Sequence, residues 1–128
     1  MGKRCPGSKF LKKVYLGNYK FVYDGFSKNR DGAVANIIES KGDIIWGGLF
    51  EISDSNLTAL DYYEGYPKAY NRKTVEVKDT TGNVFNAYVY YRIGKNIGIP
   101  NEEYRKLIIQ GAQDCNLPED YIKNVLWF

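Results

Sequence analysis

The order of strand-like and helical segments constrains this chain more than any single motif. Strand-like runs come first, one short helix follows, two further strand-like runs come next, and two helical segments end the sequence. This order predicts an α+β fold, with a small mixed, mostly antiparallel β-barrel and flanking helices. With 128 residues, 44% of them hydrophobic, the chain is expected to form a single domain over residues 1–128.

The first half of the chain is rich in β-like sequence. The predicted elements are strands over residues 9–16 and 19–23, a loop over 24–32, a short buried strand over 33–38 and a turn over 39–43. Gly17 and Asn18 tolerate the positive φ of a tight turn, which predicts a hairpin at this dipeptide. The most apolar stretch, residues 44–52, predicts a central strand. Gly47 and Gly48 within it indicate a bulge or a close backbone approach.

The second half predicts helices around one pair of strands. The expected elements are a short helix over residues 56–63, strands over 70–78 and 84–93 joined by a turn at 79–83, a helix capped by Asn101, and a final helix over 118–125. Asp54 or Ser55 is the expected cap of the short helix, and Gly65 is its expected stop.

Composition disfavours several classes of function. The 18 Lys and Arg residues exceed the 15 Asp and Glu residues by only three, well short of the basic field of a nucleic-acid binder. The absence of histidine excludes Ser–His and Cys–His nucleophilic catalysis and His-ligated zinc. Cys5 and Cys115 are far apart, which predicts neither a zinc site nor a disulfide framework and favours a reducing cytoplasm. Neither a signal peptide nor a membrane span is expected.

Glu64 is the main candidate for acid–base chemistry. It lies at the end of the predicted short helix, beside four tyrosines at positions Tyr62, Tyr63, Tyr66 and Tyr70. A carboxylate among aromatic rings is partly desolvated. Desolvation raises its proton affinity and suits it to act as a general base or acid.

Structural roles could account for the same residues. A carboxylate at a helix end often forms a surface ion pair, and the nearby cations are Lys68, Arg72 and Lys73. Asp61, three residues before Glu64, is expected to be structural. Most of the 12 tyrosines are expected simply to pack. Tyr70 and Tyr88 stand out because each lies on a strand predicted next to the helix that carries Glu64.

Several segments together resemble the γ-glutamylcyclotransferase family, including its AIG2-like and γ-glutamylamine cyclotransferase members. They are the Trp-Gly strand at residues 42–52, the Leu-Asp-x-x-Glu-Gly element at 60–65, Tyr70, the strand with Ala-Tyr-Val-Tyr at 87–90, and the C-terminal stretches at 104–112 and 117–121. The resemblance therefore covers nearly the whole chain, and it implies a small β-barrel with flanking helices.

The resemblance also implies a reaction and site residues. Family members close the glutamyl group of a γ-glutamyl compound into 5-oxoproline and release an amino acid or amine, with no metal or organic cofactor. The residue at the position of Glu64 is their acid–base residue. It would take a proton from the substrate's α-ammonium, so that the amine can attack the γ-carbonyl, and would return one to the departing nitrogen. Tyr70 and Tyr88 match tyrosines that line the pocket in relatives.

The resemblance fails at the N-terminus. Relatives begin with a strand that ends in a Tyr-Gly-Ser-Asn type loop, whose backbone amides hold the glutamyl group. This sequence starts after that loop, at residues 3–8, so either the sequence begins late or the protein lacks this half of the site. We therefore expect the chain as it stands to be a poor cyclotransferase. The unpaired sheet edge predicts self-association, for example as a homodimer.

Two functions of other classes remain open. The first is a non-catalytic domain of the same fold, in which Glu64 is a fixed counter-charge for a small amine- or carboxylate-bearing ligand. The second is nucleic-acid binding through the aromatic surface, which the modest charge balance disfavours.

Overall fold

The computed structural model describes residues 8–127, so the start of the chain at residues 1–7, with Cys5, lies outside the described part. The elements are β1 (Lys9–Ser27), β2 (Gly32–Glu51), α1 (Asp54–Glu64), β3 (Asn71–Lys78), β4 (Val84–Tyr91), α2 (Glu102–Asp114) and α3 (Glu119–Tyr121), which continues as a π-helical turn over Ile122–Leu126. The four strands form one sheet in the order β2-β1-β3-β4, and every pairing is antiparallel. The predicted α+β class is confirmed.

The hairpin predicted at Gly17 and Asn18 is wrong, because β1 continues through this dipeptide to Ser27. Asn18 takes a positive φ of 64°, as a turn residue would, but the chain makes only a register shift there. The turn-like segment 40–43 lies opposite on β2, and the Gly42 amide donates to Asn18 Oδ1 at 3.1 Å. The positive φ at Asn18 on β1 and the turn-like segment 40–43 on β2 thus lie opposite each other, and strand pairing continues on both sides of them. The chain reverses at residues 28–31, inside the predicted loop.

The stretch predicted as a central strand is part of β2, which lies at the end of the sheet. It is apolar for another reason, since Trp46 and Ile45 pack against the helical core. The close approach expected at the glycine pair is confirmed at Gly48, where a Cβ would lie 2.6 Å from Cys115 Sγ. A larger residue here would force the Cys115 side chain, just after α2, to move.

The sheet is open, which corrects the expectation of a barrel. β1 and β3 are joined only at Tyr15 and Lys78, and no pairing between β2 and β4 is found among residues 8–127. Hydrogen bonds between the Asn36 side chain on β2 and the residue that follows β4 connect this region instead. Asn36 Nδ2 donates to the Arg92 carbonyl at 3.1 Å, and the Arg92 amide donates to Asn36 Oδ1 at 3.1 Å. The Asn36 side-chain amide thus makes the pair of hydrogen bonds that the backbone of a neighbouring strand would otherwise make.

The helices begin and end close to their predicted positions. The cap of α1 is Ser53 rather than Asp54 or Ser55, because Ser53 and Asn56 form a reciprocal capping box. The Gly65 stop and the Asn101 cap are confirmed, and so is the pairing of β3 with β4. The helical core buries Ile109, Ala112, Leu117, Tyr121, Ile122 and Leu126. No helix within residues 8–127 has the length and apolar character needed to cross a membrane.

Candidate active site

Glu64 lies in the wall of a cavity of about 1520 Å³. The cavity is bounded by the end of β1, the first residues of β2, the end of α1, the turn that leads into β3, the end of β4 and one face of α2. Three tyrosines from different elements, Tyr70, Tyr90 and Tyr104, share this cavity with Glu64. The structure therefore places the candidate carboxylate inside a hollow and among phenol rings.

The end of α1 fixes the position of Glu64. Gly65 follows it in the left-handed conformation, with φ of 66°, and the Tyr66 amide donates to the Asp61 carbonyl at 2.9 Å. The chain then folds back, because the Tyr70 amide donates to the Glu64 carbonyl at 3.2 Å. Glu64 and Tyr70 are thus held together by the local turn. The Glu64 side chain is half-buried.

The three cavity tyrosines have raised pKa values. Burial is the main cause for Tyr70, Tyr90 and Tyr104, and the negative charge of Glu64 adds to the increase in each. Because a nearby anion disfavours phenolate, all three rings keep their protons at neutral pH. They therefore present hydroxyl groups, and no phenolate charge, to the cavity.

Two of these hydroxyls are oriented by the same backbone residue of β2. Tyr70 donates to the Ala35 carbonyl at 2.7 Å, and Tyr104 accepts from the Ala35 amide at 2.9 Å. As an acceptor of that amide, Tyr104 retains its own O–H for donation to a ligand. The tyrosines thus satisfy both backbone groups of Ala35 on β2, and they bring the turn after Glu64 and α2 to the same part of the cavity.

The third hydroxyl is oriented by Asp61. Tyr90 donates to Asp61 Oδ1 at 2.7 Å, while Arg72 Nη1 binds Asp61 Oδ2 at 2.6 Å. This agrees with the structural role expected for Asp61. Of the cations near Glu64 in sequence, Arg72 is paired with Asp61, and Lys73 donates to the Tyr19 hydroxyl at 2.5 Å.

A buried ion pair supports the part of the cavity wall that Arg92 lines. Asp24 is 1% exposed, and its Oδ1 lies 2.5 Å from Arg92 Nη2. Asp24 Oδ2 also accepts from Asn36 Nδ2 at 3.3 Å and from the Lys95 amide at 3.0 Å. The Arg92 guanidinium lies over the Tyr70 ring, 5.4 Å from its centroid. Sequence analysis placed Asp24 in a loop and missed both charges, because nothing local marks two residues 68 positions apart as partners.

The predicted site residues are only partly brought together. Glu64 and Tyr70 share the cavity, with Tyr62 and Tyr63 exposed at its rim. Tyr88 does not line it. Tyr88 is 55% exposed, carries Arg72 over its ring at 5.2 Å, and lines a neighbouring cavity of about 570 Å³. Its position beside Glu64 is taken by Tyr90, two residues further along the same face of β4.

The described residues offer carboxylates and hydroxyls but no metal centre. Within residues 8–127, no group of three or more Cys, Asp or Glu side chains is arranged to hold a metal ion. The chemistry that the cavity can perform with its own side chains is proton transfer at Glu64 and hydrogen bonding from the tyrosines.

Comparison with known proteins gives one consistent family. The sequence profile of the AIG2-like family matches residues 44–125, more than half of the chain. Proteins named gamma-glutamylcyclotransferase from mouse and human are 29% and 30% identical to it, in each case over 92% of the chain. The chain spans 65% of the length of both relatives.

A solved structure named gamma-glutamyl cyclotransferase superposes with a TM-score of 0.89 at 26% identity. The match covers 97% of this chain and 78% of that one. The profile includes the end of β2, the whole of α1 with Glu64, and the elements β4 and α2, which carry Tyr90 and Tyr104. The resemblance drawn from the sequence is confirmed, and the chain belongs to the AIG2-like family of γ-glutamylcyclotransferase-like proteins.

Proposed function

We propose that this protein closes the glutamyl group of a γ-glutamyl compound into 5-oxoproline and releases an amino acid or amine, with Glu64 as the acid–base residue. The observation that carries the proposal is the position of Glu64, half-buried in a cavity with three protonated tyrosines. The names of the mouse and human relatives support the same reaction.

The reaction needs one group that first takes and then returns a proton. Glu64 takes a proton from the substrate's α-ammonium, and the free amine attacks the γ-carbonyl carbon. The new C–N bond closes the five-membered ring. The old amide C–N bond then breaks, and the departing nitrogen receives the proton from Glu64. The ring nitrogen gives up its second proton, which the released amine takes up as it becomes an ammonium. Because nucleophile and electrophile belong to one molecule, folding the substrate can supply about 7–11 kcal/mol of the barrier reduction.

The tyrosines would hold the substrate during these steps. Tyr104 can donate its O–H to the glutamyl carboxylate or to the developing oxyanion. Tyr70 would pack against the glutamyl chain. Tyr88, from the neighbouring cavity, would contact the group that leaves. All of these roles use side chains, and they require no metal or organic cofactor.

The test is release of 5-oxoproline by the wild type and by Glu64→Gln, using a panel of γ-glutamyl amino acids and amines. Glutamine keeps the size and polarity of the side chain but cannot accept the proton, so we expect a rate loss of about 10²–10⁴. Glu103→Gln, an exposed carboxylate on α2, is the matched control and keeps full activity. Equal turnover by Glu64→Gln, with circular dichroism unchanged, would remove Glu64 from the mechanism.

A non-catalytic binding domain is the second candidate. The observation that favours it is the cavity itself, which combines a carboxylate with hydroxyl groups and can hold a small ligand whether or not a reaction follows. In this case Glu64 is a counter-charge for a bound cation. Calorimetric binding of γ-glutamyl compounds without release of 5-oxoproline would favour this function.

We also propose that two copies associate through β2, and that the protein works in a reducing cytoplasm. β2 lies at the end of the sheet and runs for 20 residues, a length that natural edge strands rarely leave uncovered. Pairing of two such edges gives a symmetric dimer. Light scattering that shows only monomer at high concentration would contradict the association.

A further inference from the structure

The cavity that holds Glu64 adjoins a second one, with which it shares lining residues. This neighbouring cavity, of about 570 Å³, is lined chiefly by aliphatic side chains of the sheet and α1, among them Leu57, Val75 and Val77. Ile37, Leu60 and Tyr90 line both cavities. These shared residues make the two spaces neighbours across one wall. A molecule that reaches past this wall would have one end among polar groups and the other among hydrocarbon.

The helix α1 sets the distance between the two ends. Leu57, Leu60 and Glu64 are spaced i, i+3 and i+7, so they lie along one face of the helix. At 1.5 Å of rise per residue, Leu57 lies about 10 Å along the axis from Glu64. A γ-glutamyl group at Glu64 would therefore place the departing nitrogen near Leu60, and its substituent would extend toward Leu57.

We propose that the second cavity binds the apolar part of the group that leaves. The substrates would then be γ-glutamyl derivatives of amines or amino acids that carry an alkyl or aryl chain of about four to six carbons. This inference rests on the proposed cyclotransferase function. The volume of about 570 Å³ is typical of a small-ligand site, and burial of hydrocarbon is the interaction that an aliphatic wall can offer.

The first test is a series of γ-glutamyl n-alkylamides with methyl, propyl and hexyl chains. Each buried methylene is expected to raise kcat/KM about fourfold, so hexyl would exceed propyl by up to about 60-fold. An amide of the same length as hexyl that ends in a hydroxyl should lose most of this gain. Its hydroxyl would give up its hydrogen bonds to water and find no hydrogen-bond partner in the aliphatic cavity. A flat series with clear turnover would overturn the inference and leave the proposed function intact.

The second test fills the cavity from a position that has room. Gly47 lines the cavity, and a Cβ there would meet nothing within 4 Å. Gly47→Leu should therefore fold and occupy the space, and the advantage of hexyl over propyl should fall to less than about tenfold. Gly17→Leu is the matched control, since Gly17 is also open and in a strand but lines neither cavity. Gly17→Leu should show the same dependence of kcat/KM on chain length as the wild type.

The third test separates this inference from the reaction itself. The affinities of n-hexylamine and n-propylamine for the wild type, Gly47→Leu and Gly17→Leu are measured by calorimetry. Tighter binding of hexylamine to the wild type and Gly17→Leu, lost in Gly47→Leu, would support the apolar site even if no γ-glutamyl compound is turned over. Equal Kd values for the two amines in the wild type would overturn it.

Discussion

The turn after Glu64 should tolerate no residue larger than glycine at position 65. Gly65 has φ of 66°, and a Cβ there would lie 2.8 Å from the Cβ of Ala69. The left-handed conformation costs a non-glycine residue about 1–2 kcal/mol. Relief of the Cβ overlap adds a further cost of about 1–3 kcal/mol, typical of overpacked sites. Gly65→Ala should therefore lower the free energy of unfolding by about 2–5 kcal/mol.

A matched glycine separates the two contributions. Gly82 has φ of 89°, and a Cβ there would meet nothing within 4 Å. Gly82→Ala should cost only the backbone strain, about 1–2 kcal/mol. The double variant Gly65→Ala/Ala69→Gly removes the overlap and should recover most of the difference, apart from about 0.5–1 kcal/mol for the added chain entropy of glycine.

Urea unfolding followed by circular dichroism measures all four proteins, and 5-oxoproline release measures the effect on the site. The double variant should also recover activity, because the overlap displaces the turn that holds Glu64 beside Tyr70. Equal destabilisation by Gly65→Ala and Gly82→Ala, or no recovery in the double variant, would refute the reasoning. In that event the Ala69 contact would not determine where α1 ends.

Two further predictions concern the dependence of stability on pH. Burial raises the pKa of Tyr23 from 10.0 to about 12, and its hydroxyl donates to the Leu126 carbonyl at 2.8 Å. Because the folded state favours the protonated phenol, this stabilisation is complete below pH 10 and about 2–3 kcal/mol is lost between pH 10 and 12. In urea unfolding, Tyr23→Phe should lower the free energy of unfolding by about 1 kcal/mol at pH 7 and should reduce the loss of stability above pH 10. Tyr62 is exposed, so Tyr62→Phe should change neither quantity. Burial alone would raise the Asp79 pKa, but hydrogen bonds from Thr81, Lys12 and Asn83 hold it well below its usual value. The stabilisation from the Asp79 carboxylate is present at neutral pH and is lost as the pH falls below about 4. Asp79→Asn should therefore be less stable at pH 7, and its free energy of unfolding should fall less steeply in acid. An unchanged dependence of stability on pH in acid would contradict this.

Local patterns predicted the helices and the second hairpin, because each of these depends on residues close in sequence. Each signal lies within a few residues of the element that it begins or ends: Gly65 ends α1, Asn101 caps α2, and the turn at 79–83 joins β3 to β4. The first hairpin depends on distant residues instead. Asn18 has the backbone of a turn, but the Gly42 amide from the opposite strand binds its side chain and β1 continues. A single strand cannot reveal whether a turn-like dipeptide reverses the chain or matches a bulge across the ladder.

The site shows the same division. Glu64 and Tyr70 could be predicted together because one turn joins them, whereas Tyr104, Asp24 and Arg92 come from distant elements. The choice between Tyr88 and Tyr90 depends on strand register. Asn71 pairs with Tyr91 and Thr74 with Tyr88, so Tyr88 lies level with a residue about 13 Å along the strand from Tyr70. Tyr90 pairs with Arg72, two positions from Tyr70, and lies on the same face as Tyr88. Its hydroxyl reaches Asp61 on α1. Counting outward from the turn at 79–83, which fixes the register, places Tyr90 nearer than Tyr88 to the start of β3 and to Tyr70.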